Sequence, residues 1–317
     1  MTPISDGRES MGTSDASLFS IEGLEGSPAA AGGADLHSHT TSSDGMMAPA
    51  DNVRLACKAG LEALAVTDHD TVAGVKEALE AGRECGVHIV PGVEISTVED
   101  GIDIHVLGYF VNIEDELFLD RLASLRAIRD RRNDMLVAKL TELGIPLTMD
   151  EVIAELGRPL SPGETVGRPH IADALVRRGV VRNMKEAFDL YLGTGGKAYV
   201  NPPRIRPHEA VAWIHAAGGA AVLAHPGLYG SDELVKRILE ASPWDGVEVW
   251  HSDHSLEDSK RYGVLAARCG LVMTAGSDFH GARRGEVFHG ALGGRRVGME
   301  AVERLRSISG AYKANAE

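Results

Sequence analysis

The chain has 317 residues, 46 of them Asp or Glu against 32 Lys or Arg, which leaves a formal net charge of −14 at pH 7. That length can bury a substantial core, as one large α/β barrel or two modest domains, while the acidic balance weighs against a surface that wraps long nucleic acid. No apolar run approaches the ~20 residues of a membrane helix, and Cys57, Cys85 and Cys269, none in a CxxC pair, read as packed free thiols of a reducing, cytoplasmic compartment.

Residues 1–32 mix Gly, Ser and Ala with Asp6, Glu9, Asp15, Glu22 and Glu25, and they lack the basic start and apolar centre of a signal peptide, so a flexible extension is expected there. From 33 onward strand-like and helical patterns alternate. Apolar strand-like runs fall at 34–36, 63–67, 88–93, 102–110, 220–224, 246–250 and 271–275. Helical patterns cover 49–59, 71–85, 207–217 and 256–269, with Pro49 and Pro207 at two starts and Gly60, Gly86, Gly218 and Gly270 just past the ends. Seven strands in βα order predict an α/β fold, a parallel TIM-like barrel over 33–112 and 201–317. Between 113 and 200 the alternation stops; helical signals at 114–143, after 150, at 169–178 and at 183–192 predict a helical insertion over the catalytic mouth.

The chemistry-bearing residues sit at the ends of apolar runs, where βα barrels keep their active sites. His37 and His39, two apart on a strand, share a face and can chelate one cation, although a lone His-x-His pair is weak evidence. Asp44 follows in the next loop, His69 stands in Thr67-Asp68-His69-Asp70-Thr71, and Glu94 in Gly92-Val93-Glu94-Ile95-Ser96. His105 precedes Val106-Leu107-Gly108-Tyr109, His225 lies in Ala224-His225-Pro226, and Asp278 with His280 repeats the same-face spacing.

This series resembles the polymerase and histidinol phosphatase (PHP) family, and within it small nucleotide phosphatases and related exoribonucleases, over nearly the whole chain from about Gly33. The resemblance implies a distorted (β/α)7 barrel with a helical insertion and a centre of three divalent ions. One ion would take His37, His39, Glu94 and Asp278, a second Glu94, His105 and His225, and a third Asp44, His69 and His280, with Glu94 bridging. Such a ligand set without cysteine suits Mn, Fe or Zn. Closely spaced ions acidify a bridging water and neutralise phosphate oxygens, so the expected reaction is in-line attack of hydroxide on phosphorus, with Glu94 and Asp278 at its centre. The substrate implied is a small phosphorylated nucleotide, first a 3′,5′-bisphosphate losing its 3′-phosphate; short RNA, histidinol phosphate and a non-catalytic metal-binding module are the alternatives. Neither a membrane nor an obligate protein partner is expected.

Gly167-Arg168-Pro169-His170 and Gly196-Lys197-Ala198-Tyr199 look like the family's insertion motifs, which implies substrate contacts from Arg168, His170 and Lys197. Arg168 comes first, because a planar guanidinium matches two phosphate oxygens. His251 and His254 follow a strand end and are expected to face the site, where either can act as general acid. His88, His208, His215 and His289 are expected to be structural or exposed, and Arg126, Arg129, Arg131 and Arg132 to form a solvated helix face with at most one reaching the site.

Overall fold

The computed structural model describes residues 32–316 apart from 284, 285 and 288, so the extension expected at 1–32 falls almost wholly outside the described residues. Seven strands, β1 (Ala34–Asp35), β2 (Ala63–Val66), β3 (His88–Glu99), β4 (Ile102–Tyr109), β5 (Ala220–Leu223), β6 (Gly246–His251) and β7 (Val272–Gly276), form one sheet in sequence order. A small hairpin of β8 (Ala282–Arg283) and β9 (Glu286–Val287) follows. The helices are α1 (Pro49–Lys58), α2 (Val75–Cys85), α3 (Glu116–Glu142), α4 (Met149–Ala154), α5 (Arg168–Arg177), α6 (Met184–Ala187), α7 (Pro207–Ala216), α8 (Asp232–Glu240), α9 (Leu256–Cys269) and α10 (Met299–Ala316). Of these, α8, capped by the Ser231 hydroxyl, has no counterpart among the sequence expectations.

Backbone bonds from the Leu36 N–H to Ala275 O and from the Asp278 N–H to His37 O join the two edges of the sheet and close the barrel. The expected parallel pairing fails at one strand: β4 runs antiparallel to both β3 and β5. The cause is the two-residue turn Asp100-Gly101, with φ of 51° and 79°. Positive φ at both positions matches the twist of a tight hairpin, and two residues leave no room for the crossover that a parallel return needs.

Ala34, Ala63, Ala65, Ala220 and Ala224 line the barrel interior, and their small size leaves room for Tyr109, whose hydroxyl donates to Leu36 O at 2.8 Å. Ala301, Val302 and Leu305 of α10 pack into the same cluster and plug one end. The other end is the mouth. A second apolar layer, including Val53, Val75, Ile214, Val235 and Tyr262, seats α1, α2, α7, α8 and α9 on the outside.

The helical segment has an apolar cluster of its own, with Leu136, Leu140, Ile171, Leu175 and Leu192, yet Phe118, Leu122 and Leu125 from the first half of α3 belong to the layer around the barrel. α6 runs on into a single π turn, Phe188–Leu192, a distortion that recurs at functional sites. Among the described residues no helix is long and apolar enough to cross a membrane. The cysteines are free, but Cys57 and Cys269 are exposed rather than packed, because they lie on the outer faces of their helices.

Candidate metal centre

All seven strands bring a ligand-type side chain to the mouth. His37 and His39 follow β1, His69 follows β2, Glu94 lies on β3, His105 on β4, His225 follows β5, His251 ends β6, and Asp278 and His280 follow β7. The loops that carry them are locked by buried acceptors. Asp68 accepts from the Thr40 N–H, the Thr40 hydroxyl and the Ser43 hydroxyl at 2.6–2.7 Å, which fixes the loop bearing Asp44. Asp35 accepts from the Ser277 N–H and hydroxyl and from the Gly293 N–H. A Cβ at Gly276 would stand 2.1 Å from His37 Cβ, so only glycine lets β7 pass beneath that ligand. Asp70, His225 and Asp278 take φ of 54°, 21° and 53°, a strain of about 1–3 kcal/mol each that the surrounding bonds hold in place.

His37 Nε2 and His39 Nε2 lie 3.3 and 3.1 Å from Asp278 Oδ1 and 3.4 and 3.2 Å from Glu94 Oε2. The other Glu94 oxygen, Oε1, is 2.8 Å from His105 Nδ1 and 3.1 Å from His225 Nε2. Asp44 stands 3.2 Å from His280 Nε2 and 3.7 Å from His69 Nε2, and His39 closes that group as well. Glu94 therefore faces two clusters with one oxygen each.

His37 Nε2, His39 Nε2, His69 Nδ1, Glu94 Oε2 and Asp278 Oδ1 are buried without a hydrogen-bond partner. Leaving such atoms unpaired costs about 1–3 kcal/mol each, and separations of 3.1–3.4 Å are close to the ~3.3–3.6 Å between donors set about 2.0–2.2 Å from one tetrahedral ion. The residues fit divalent cations. Burial opposes the negative charge of Glu94, Asp44 and Asp278, but the histidines around them outweigh it and hold all three well below the ordinary carboxylate range. Burial likewise opposes charge on His39, yet the carboxylates of Asp278 and Glu94 beside it raise it to about 10, whereas burial prevails at His69 and His225 and lowers both to about 4.

A cavity of about 280 Å³ opens above this floor, with Arg129, Arg132, Arg168 and Arg204 in its wall and Pro169, Phe188 and Leu228 also lining it. The sequence model of the PHP domain matches residues 35–190. Over 250 residues the chain is 37% identical to a 5′-3′ exoribonuclease of Haemophilus influenzae, covering 78% of this chain and 89% of that one. Over 255 residues it is 34% identical to a 3′,5′-nucleoside bisphosphate phosphatase of Chromobacterium violaceum, covering 79% and 88%. The chain belongs to the PHP family. A solved structure from Bifidobacterium adolescentis, a candidate metal-dependent phosphoesterase, superposes with a TM-score of 0.80 at 36% identity, over 89% of this chain and 98% of its own. The PHP chain is an enzyme, a metal-dependent phosphoesterase.

The PHP floor gathers every ligand expected from sequence, and it adds Glu248, which was missed. That carboxylate, on β6, accepts from His37 Nδ1 at 3.1 Å and from the His225 N–H at 2.8 Å, so His37 turns its Nε2 lone pair toward the cluster. Its signal was an acid between Val247 and Val249 in an apolar strand. His289 is a correction: it stands at the mouth, with Nδ1 2.5 Å from Asp253 and Nε2 3.5 Å from Asp278.

Four other expectations change. Arg129 and Arg132 are 7% and 5% exposed, not solvated, because α3 turns them into the cavity. His170 turns back under its own helix, where Nδ1 accepts from the Gly167 N–H at 3.0 Å, and Lys197 is exposed, outside the cavity wall. His254 uses both ring nitrogens, Nδ1 donating to Val249 O and Nε2 accepting from the Gly227 N–H, so it braces the turn after His225. His251 does face the site: Nδ1 accepts from the Asp253 N–H, which leaves its proton on Nε2, 3.3 Å from Asp278 Oδ2. His88 is exposed beside Arg306, His208 is exposed, and His215 pairs with Asp245 at 2.7 Å.

Proposed function

We propose that this PHP enzyme hydrolyses a small nucleotide phosphomonoester, preferring a nucleoside 3′,5′-bisphosphate from which it removes the 3′-phosphate. The observation that carries the reading is one cavity with a floor of convergent acceptors and a wall of arginines. Three divalent ions, Mn, Fe or Zn, held by His37, His39, Asp44, His69, Glu94, His105, His225, Asp278 and His280, would supply an acidified water and cationic charge for the phosphate oxygens. Glu94 and Asp278 keep the two cluster histidines in register, and Glu248 fixes the face that His37 presents. His251 keeps an N–H aimed at the floor, a donor for the departing ester oxygen. The arginines hold charge away from the reacting centre, where binding energy can lower the barrier as well as KM, and Phe188 with Leu228 offers an apolar surface to a base. The Chromobacterium relative, a bisphosphate phosphatase, supports the same substrate class.

Cleavage of short RNA from its 5′ end is the second reading, favoured by the identity to the Haemophilus exoribonuclease. Phosphate release from adenosine 3′,5′-bisphosphate, 3′-AMP, 5′-AMP and histidinol phosphate, beside cleavage of a labelled short RNA, tests both with and without chelator. The bisphosphate is expected to lead, and histidinol phosphate to be poor because its cationic groups meet the arginine wall. A clear advantage for histidinol phosphate overturns the nucleotide reading.

A further inference from the structure

The four arginines of the wall are not equivalent. Arg129 is matched: its guanidinium reaches Asp70 Oδ2 at 2.6 Å and the Ser96 hydroxyl at 2.6 Å. Arg168 and Arg204 share one carboxylate, Asp103. Arg132, 5% exposed and lining the cavity, has no ion pair among the described residues. Its one hydrogen bond to a side chain runs from Nη2 to the neutral amide oxygen of Asn133 at 3.2 Å, and its Nε is buried without a partner. Asn133 is itself tied down, its amide donating to Val166 O at 2.8 Å, so the group that steers Arg132 is rigid.

A guanidinium does not shed its proton to escape burial, and a buried charge with no counter-charge is costly. Arg168, Arg129 and Arg204 all add like charge beside it, and the one carboxylate that offsets them, Asp103, is already paired with Arg168 and Arg204. Arg204 contributes a second buried Nε that lacks an acceptor. Two unmatched N–H donors in one cationic wall call for an anion with several acceptor oxygens, the chemistry of phosphate. The floor cannot supply it, because Asp44, Glu94 and Asp278 are surrounded by histidines.

We propose that Arg132, assisted by Arg204, anchors a second-phosphate subsite and so sets the preference for doubly over singly phosphorylated nucleotides; this rests on the nucleotide reading above. Arg132 binds the phosphate that is not cleaved, and Arg168, already shared with Asp103, is secondary to it.

The test uses the metal-loaded enzyme and compares kcat/KM for adenosine 3′,5′-bisphosphate with that for adenosine 3′-monophosphate, in the wild type, Arg132→Gln and Arg132→Lys. The ratio should fall about 10- to 100-fold in Arg132→Gln, the range of one lost charge-assisted contact, and Arg132→Lys should recover only part of it. Melting temperature separates a binding role from a structural one: Arg132→Gln removes an uncompensated buried charge and should melt no lower than the wild type. An unchanged ratio overturns the proposal, as does a lower ratio accompanied by a large drop in melting temperature. Should the wild type turn over neither nucleotide, the nucleotide-hydrolase reading fails separately, and calorimetric titration with adenosine 3′,5′-bisphosphate judges the subsite. Affinity weakened by the same factor in Arg132→Gln supports it, and equal affinity overturns it.

Discussion

The floor of the cavity is assembled from the ends of seven strands and pinned by buried acceptors such as Asp35, Asp68 and Glu248, whereas its wall comes from one long helix, α3, and the segments that carry Arg168 and Arg204. The floor turns lone pairs inward; the wall turns N–H groups inward. Strand ends are set by sheet register, which holds the candidate ligands in a defined arrangement, as metal chemistry needs. A helix face is set by docking, which leaves the wall free to vary in which anion it accepts.

That contrast is tested most severely at Glu94. Glu94→Gln should lower bound metal and cut kcat/KM by about 1,000-fold or more, since it weakens two clusters at once; elemental analysis beside steady-state rates decides, and full metal content with near-normal rates would take Glu94 out of the floor. Glu248→Gln should weaken metal affinity by about 10- to 100-fold through a loosened His37, read by metal titration of the chelated protein. On the wall, Arg168→Ala should cost about 10-fold in kcat/KM for the bisphosphate with metal content unchanged, and Arg168→Lys should recover part. If Arg168→Ala lost metal, floor and wall would not be separable.

A smaller effect concerns pH in chelated protein. Against the opposition of burial, the carboxylates of Asp278 and Glu94 raise His39 to about 10 from an ordinary 6.5, so its charged form supports the fold fully below 6.5 and that support is lost as pH climbs through 10. Melting of the chelated protein should therefore fall between pH 7 and 10, while the metal-loaded protein, whose histidines are held neutral by coordination, should fall less. Equal slopes would count against His39 as a ligand. The smallest effect belongs to His88→Asn, at an exposed histidine beside Arg306, where metal content and rate should not change.

The same contrast explains what the sequence made legible. Strand runs, the proline and glycine punctuation of α1 and α7, and the His and carboxylate residues after each apolar run are local signals, and the candidate ligands they mark meet at the mouth. The antiparallel β4 is hidden by the regular alternation of apolar runs, although Asp100-Gly101 is a hairpin signal. Arg129 and Arg132 looked like solvated helix charges because they sit among Asp130, Arg131 and Asp134; which face of α3 is buried depends on Phe118, Leu122 and Leu125 docking on the barrel. His254 and His170 carry no local mark of their hydrogen-bond partners, Gly227 and Gly167, which only the folded turns bring to them.

α3 spans 27 residues, about 40 Å, with its first half seated on the barrel and its second half inside the helical cluster. Mechanically it is a beam clamped at one end, and Arg129 and Arg132 sit near its midpoint. A rigid swing of the helical cluster would have to bend that beam and drag both arginines from the cavity at once. The chain turns instead at the connections outside α3, which hold Gly144, Gly157, Gly163 and Gly195 at positive φ. A rearrangement of the mouth that leaves Arg129 and Arg132 in place would have to come from those connections, and the rate of product escape is expected to respond to substitutions there more than to changes along the outer face of α3.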